Sequence, residues 1–193
     1  MTHSLHRTGT QESLKEDYVI LAMLASGYND KAPDARDKML KIADIMKKNN
    51  PVNILTEKAW RISSVISATY DNKLDVKRVL EDLKKEDLGI SIVVEGLIDQ
   101  VKDLSDQVGL ELDSAHLSLG AFGKKDLLPE DKILEITSMC GHHCISPQSV
   151  QHYVDLIRKG KTSLKKAAEK LAKPCICGIF NTERAIEILK QLE

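Results

Sequence analysis

The sequence predicts an all-α fold, a multi-helix bundle-like domain with a C-terminal helical subdomain that carries the cysteines. Apolar residues recur near the 3.6-residue period of a helix along most of the chain. Only 4% of the residues are aromatic, and a core of Leu, Ile, Val, Ala and Met suits packed helices better than a β-sandwich. The expected organisation is a single helical domain over 1–193, with a helical core in 1–128 and a cysteine-site subdomain in 129–193.

Four helices are predicted in the first half of the chain. The first covers residues 11–26 and ends at Gly27, and the second follows Pro33 and ends at the sequence Asn49-Asn50-Pro51. The fourth covers residues 75–85. The third is indicated by an apolar stripe at helical spacing, namely Ala59, Ile62, Val65 and Ile66.

The segment 88–108 supports two interpretations. Its second half has apolar residues spaced for a helix, whereas the β-branched run Ile90–Val94 could form a short strand or the buried start of that helix. We favour the helix. Residues 109–128 are expected to be irregular because glycines interrupt them, and the helical pattern returns from Pro129 onward.

Composition and charge narrow the function classes. The net charge of −1 argues against a nucleic-acid partner, and no apolar run approaches the roughly 20 residues that span a bilayer, so no membrane partner is expected. The N-terminus has no apolar region behind its charges and does not resemble a secretory signal, which predicts a cytoplasmic location. There, a cysteine cluster indicates metal binding or redox activity rather than a disulfide framework.

The first cysteine pair, Cys140 and Cys144, lies between two predicted helices. Cys140 falls at the end of one helix, where Gly141 is expected to adopt the left-handed conformation that closes it. The dipeptide Ser146-Pro147 is typical of a cap followed by a first-turn proline, so the next helix begins directly after Cys144. The pair therefore occupies a tight interhelical loop.

The second pair, Cys175 and Cys177, lies between a helix over 163–172 and a last helix capped by Asn181. An extended backbone would point both sulfurs to the same side, because alternate residues of an extended chain share a face. Gly178 would leave room for the backbone to approach the bound group. Two loops joined by a helical hairpin can meet around one object, so the spacing predicts a single site.

The identity of the bound group stays open between two cofactors, and a metal-free dithiol is the third alternative. Four thiolates suit an iron–sulfur cluster, of 4Fe–4S type, or Zn²⁺. The C-x-C pair matches zinc spacing poorly, and the apolar neighbours Ile145, Ile176, Ile179 and Phe180 would shield a cluster from water. The sequence therefore favours an iron–sulfur protein that transfers electrons or senses redox state. A zinc-stabilised interaction module and an enzyme using the metal centre are the alternatives, and whether the chain is an enzyme stays open.

Histidines extend the candidate site. His142 and His143 could ligate the metal, donate a hydrogen bond to a ligand, or remain solvated loop residues. His3, His6 and Arg7 belong to an N-terminal arm that could fold over the site.

A basic stretch lies between the two pairs and contains one acid, Glu169. Its positive field would favour an anionic centre and the docking of an acidic redox partner protein. The cations are Arg158, Lys159, Lys161, Lys165, Lys166, Lys170 and Lys173.

Overall fold

The chain is a mixed α/β protein, so the all-α prediction is wrong. The computed structural model describes residues 7–193, and the fold is 48% helical and 10% strand. Its sheet has four antiparallel strands in the order β2-β3-β1-β4. The strands are β1 (Tyr18–Met23), β2 (Asn53–Ile54), β3 (Val65–Tyr70) and β4 (Ser91–Glu95).

Nine α-helices surround the sheet in the described part of the chain. They are α1 (Gln11–Leu14), α2 (Ala35–Lys48), α3 (Glu57–Trp60), α4 (Lys73–Glu86), α5 (Ile98–Val108), α6 (Asp131–Ser138), α7 (Pro147–Arg158), α8 (Leu164–Ala172) and α9 (Thr182–Leu192). The second and fourth predicted helices, now α2 and α4, are confirmed, and residues 109–128 are irregular apart from one 3₁₀ turn. Over residues 7–193, no helix combines the length and apolar character needed to cross a membrane.

Three segments that were predicted as helices contain three of the four strands, β1, β3 and β4. The first is a short α1 followed by β1, which lies at the centre of the sheet and has both faces covered. A strand buried on both sides shows no apolar–polar alternation, and its apolar run happened to fit helical spacing. The third predicted helix is α3 followed by β3. In 88–108, β4 precedes α5, so each of the two interpretations describes one part of the segment.

Alternate residues of β1 supply two cores. Ile20 and Ala22 pack in a cluster with α2 and α4 on one face of the sheet. Val19 and Leu21 pack on the other face with side chains of α6, α7, α8 and α9 and of both cysteine loops. The helices that carry the cysteines therefore share a hydrophobic core with the central strand.

Candidate metal centre

The first cysteine loop follows α6 directly. Cys140 is fully buried, whereas Cys144 is exposed. The backbone N–H of His143 donates to the carbonyl of Cys140 over 2.9 Å, and His143 has a left-handed φ of 53°. The left-handed residue is therefore His143, and the expectation for Gly141 is wrong. The predicted cap is confirmed, because Ser146 Oγ accepts the N–H of Ser149 at the start of α7.

The second cysteine loop is a turn rather than an extended segment. The N–H of Gly178 donates to the carbonyl of Cys175 over 3.2 Å, and this bond folds the intervening residues back. The extended conformation predicted for Cys175–Cys177 is therefore wrong. The two sulfurs nevertheless lie on the same side, with their Sγ atoms 3.5 Å apart.

Gly178 is needed for close approach to the sheet. Its φ is +74°, and a Cβ at this position would stand 2.0 Å from the carbonyl carbon of Ile54 and 2.3 Å from the nitrogen of Leu55. No side chain fits in that gap. The missing side chain thus seats the cysteine loop against β2, rather than making room for a bound group as the sequence suggested.

Five consecutive carbonyls of this loop accept hydrogen bonds from other parts of the fold. The acceptors are Ile176, Cys177, Gly178, Ile179 and Phe180, and their respective donors are Thr56 N–H, Ser67 Oγ, Thr69 Oγ1, Arg7 Nη2 and Asn53 Nδ2. Most of these donors stand on β2 or β3. The sheet therefore fixes Cys175 and Cys177 before any ligand binds.

These donors were not found from the sequence. Ser67 and Thr69 are buried at alternate positions of β3, so both side chains face the cysteine loop. Buried hydroxyls two residues apart are the signal that could have revealed them, but the signal has meaning only in a strand. The predicted helix over 65–66 gives two residues at this spacing no common face, so the sequence does not indicate these donors.

The N-terminal arm reaches both cysteine loops. Arg7 Nη2 donates to the carbonyl of Ile179 and, over 3.4 Å, to that of Met139, which precedes Cys140. His3 and His6, the other arm residues named from the sequence, lie outside the described residues. Arg7 therefore links the two loops without touching a cysteine sulfur.

A buried charged cluster anchors Arg7. Its guanidinium pairs with the carboxylate of Asp17, which also accepts Arg184 Nη1 over 2.8 Å and Asn181 Nδ2 over 3.0 Å. Burial alone would raise the pKa of Asp17, but the Arg7 and Arg184 guanidiniums outweigh it and hold that pKa below its usual range. Arg184 also contacts Glu135 over 3.3 Å. The cluster joins the arm to α6 and α9.

The four thiols lie close together across the two loops. Cys175 contacts Cys177, and Cys140 lies near both Cys175 and Cys144. The ring Nδ1 of His142 lies 3.7 Å from Cys177 Sγ. The structure thus brings the four predicted cysteines and His142 together, while His143 is exposed beside them.

These contacts divide the thiols into two classes. The hydrogen bond from Cys175 is the main cause that lowers the pKa of Cys140 to about 5 and that of Cys177 to about 6. Cys175 retains its proton for these neighbours, so its own pKa is raised. Burial and the charge of Cys140 raise the pKa of Cys144. Two thiolates in one place make a site suited to a soft cation.

The distance between neighbouring sulfurs can be compared with the distance between the ligand sulfurs of a tetrahedral zinc ion. Zn–S bonds of 2.3 Å place ligand sulfurs about 3.8 Å apart, close to the 3.5 Å between Cys175 and Cys177. Still, no group of three or more His, Cys, Asp or Glu side chains within 7–193 is already arranged to hold a metal ion. Cys144 is the exposed donor, with its sulfur 3.9 Å from the carbonyl of His142. Completing a four-thiol site therefore requires cysteine side chains to reorient, the exposed Cys144 among them.

A groove of about 670 Å³ runs beside β4. Val93, Leu112, Arg7 and Asp17 are among the residues that line it, and none of the four cysteines is among the described residues that do so. The Arg7–Asp17 pair therefore contacts the groove on one side and, through Arg7, the cysteine loops on the other.

Comparison with protein-family models, with curated proteins and with solved structures finds no match for this chain.

Proposed function

We propose that the protein binds one soft metal ion, Zn²⁺ in the first place, through Cys140, Cys144, Cys175 and Cys177. The observation that carries this proposal is the meeting of four free thiols from two loops, one of which the sheet already holds in place. His142 is a further donor within reach of the same site. When bound, the ion would neutralise the thiolates and join the two loops.

The sulfur spacing favours one ion over the iron–sulfur cluster. A 4Fe–4S cluster takes one thiolate at each of four irons, so its ligand sulfurs lie farther apart than those around a single ion. The 3.5 Å contact between Cys175 and Cys177 supports the smaller object. The cluster remains the second candidate because the site has a buried apolar wall, formed by Ile145, Ile179 and Phe180.

Metal analysis tests the proposal. Zinc, iron and acid-labile sulfide should be measured per chain on protein purified without oxygen. About one zinc with no sulfide is the expected result. Iron with equimolar sulfide and a brown colour would replace the ion by the cluster, and a chain without either metal would refute both.

The surroundings of the site support a role as a zinc-stabilised interaction module. Ile176 is 69% exposed between the two cysteines of the second loop, and Cys144 is exposed in the first. All seven cations of the basic stretch are exposed, and none of them forms an ion pair with a residue in 7–193. An acidic protein fits this face, as a redox partner if the centre is a cluster.

The free cysteines also suit a reducing compartment, and we propose a cytoplasmic location. Reversing the charge of Lys170 and Lys173 should weaken binding to an acidic partner and reduce its salt dependence.

A further inference from the structure

One side chain of the N-terminal arm contacts the backbone of both cysteine loops. The side chain of Arg7 is only 7% exposed, and its Nη2 donates to the carbonyls of Met139 and Ile179. Met139 is joined to Cys140 by a peptide bond, and Ile179 follows Cys177 by two residues. The separation of these two carbonyls is therefore coupled to the separation of the two cysteine pairs.

The orientation of this guanidinium is fixed from its other side. Arg7 Nη1 pairs with Asp17, and Asp17 is itself held by Arg184 and Asn181. A guanidinium is planar, and its donors diverge at fixed angles, so one arginine can hold a carboxylate and two carbonyls at once. A lysine ammonium could keep the ion pair but offers no such rigid fork.

We propose that Arg7 is a positioning residue for the metal centre, and that docking of the N-terminal arm controls how fast the metal leaves. The inference rests on the proposed function. A metal ion held by both cysteine pairs escapes when the loops separate. Arg7 opposes that movement through Met139 and Ile179, without contact to the ion.

The rate of metal release tests directly whether Arg7 slows the loss of the ion. Zinc-loaded wild type and Arg7→Ala protein are mixed with an excess of a chromogenic chelator, and transfer of Zn²⁺ is followed by absorbance. Loss of a partner that orients metal ligands weakens binding roughly 10–100-fold. We therefore expect release from Arg7→Ala to be at least about tenfold faster, with zinc per chain at saturation unchanged.

Three variants separate positioning from stability. Arg7→Lys keeps the charge opposite Asp17, so its melting temperature should return toward the parent while its release stays fast. Arg184→Ala removes a partner of Asp17 and the donor to the carbonyl of Thr8, so it should loosen the docking of Arg7 and speed release less than Arg7→Ala does. Arg36→Ala removes an exposed arginine–carbonyl hydrogen bond, 2.6 Å to Ser63, that involves neither cysteine loop.

The possible results distinguish the proposed role of Arg7 from the proposed binding of zinc. Fast release from both Arg7 variants, with parental release from Arg36→Ala, supports the inference. Unchanged release from Arg7→Ala, or release that simply follows melting temperature across all variants, overturns it while the metal site stands. Wild-type protein that binds no zinc overturns the proposed function itself.

Discussion

Replacing Gly178 by alanine should unseat the cysteine loop from β2. Two costs add. A left-handed φ costs an L-residue about 1–2 kcal/mol, and the new Cβ would stand 2.0 Å from the carbonyl carbon of Ile54, which is rigid backbone. Overpacking of this kind costs a further 1–3 kcal/mol or so. The free energy of unfolding should therefore fall by about 2–5 kcal/mol.

Gly160 provides a matched control. It also has a positive φ, of 63°, but nothing lies within 4 Å of the Cβ that alanine would add. Gly160→Ala should show the backbone cost alone, about 1–2 kcal/mol. The difference between the two variants isolates the contact with β2.

Denaturant unfolding, followed by circular dichroism, measures both variants. At about 2–4 °C per kcal/mol for a chain of this size, Gly178→Ala should also melt roughly 4–20 °C below the parent. It should bind Zn²⁺ more weakly than Gly160→Ala, because Cys175 and Cys177 move with the loop. Equal destabilisation by the two substitutions would refute the argument that the sheet seats this loop.

Three further perturbations address the supports of the site. The pKa of Asp17 is lowered in the folded protein, so its contribution to stability is complete above its ordinary pKa of 3.8 and is lost as pH falls through the lower folded value. A titration of stability with acid should show this loss. Asp17→Asn should remove this pH-dependent part of the stability. Ser67→Ala leaves the carbonyl of Cys177 without its side-chain donor and should cost about 1–3 kcal/mol in a denaturation curve, whereas the exposed Ser114→Ala should change little. The double variant Cys175→Ser and Cys177→Ser should abolish metal binding in a zinc assay. It should keep the helical far-ultraviolet circular dichroism signal, because five carbonyl hydrogen bonds still hold the second cysteine loop. Loss of that signal would show that the metal, not the sheet, holds this loop.

The sequence predicts the helices correctly where one helix face is buried and the other is exposed to solvent. In α2 and α4 the apolar stripe and the stop signals act together, so period and boundary agree. The sequence did not predict the strands β1 and β3, for two different reasons. β1 is buried on both faces and carries no alternation, whereas β3 buries the polar Ser67 and Thr69 through partners distant in the chain.

The cysteines of the site were predictable, because all four fall in loops between helices that the capping residues mark. The residues that hold the second cysteine loop in place were not predictable. The carbonyl donors Asn53, Ser67 and Thr69 come from strands more than a hundred residues away in the chain, and local pattern does not carry such pairings. The role of Gly178 against Ile54 has the same origin, since only the tertiary fold brings those two backbones together.

X-ray absorption at the zinc edge tests the central claim most directly, because it counts the sulfur ligands of the bound ion. The account predicts a first shell of four sulfurs at about 2.3 Å, or three sulfurs and one nitrogen if His142 replaces an exposed thiol. The Cys175→Ser and Cys177→Ser double variant should lose that sulfur shell. A first shell made of oxygen and nitrogen alone in the wild-type protein would contradict the account, as the metal would then sit elsewhere.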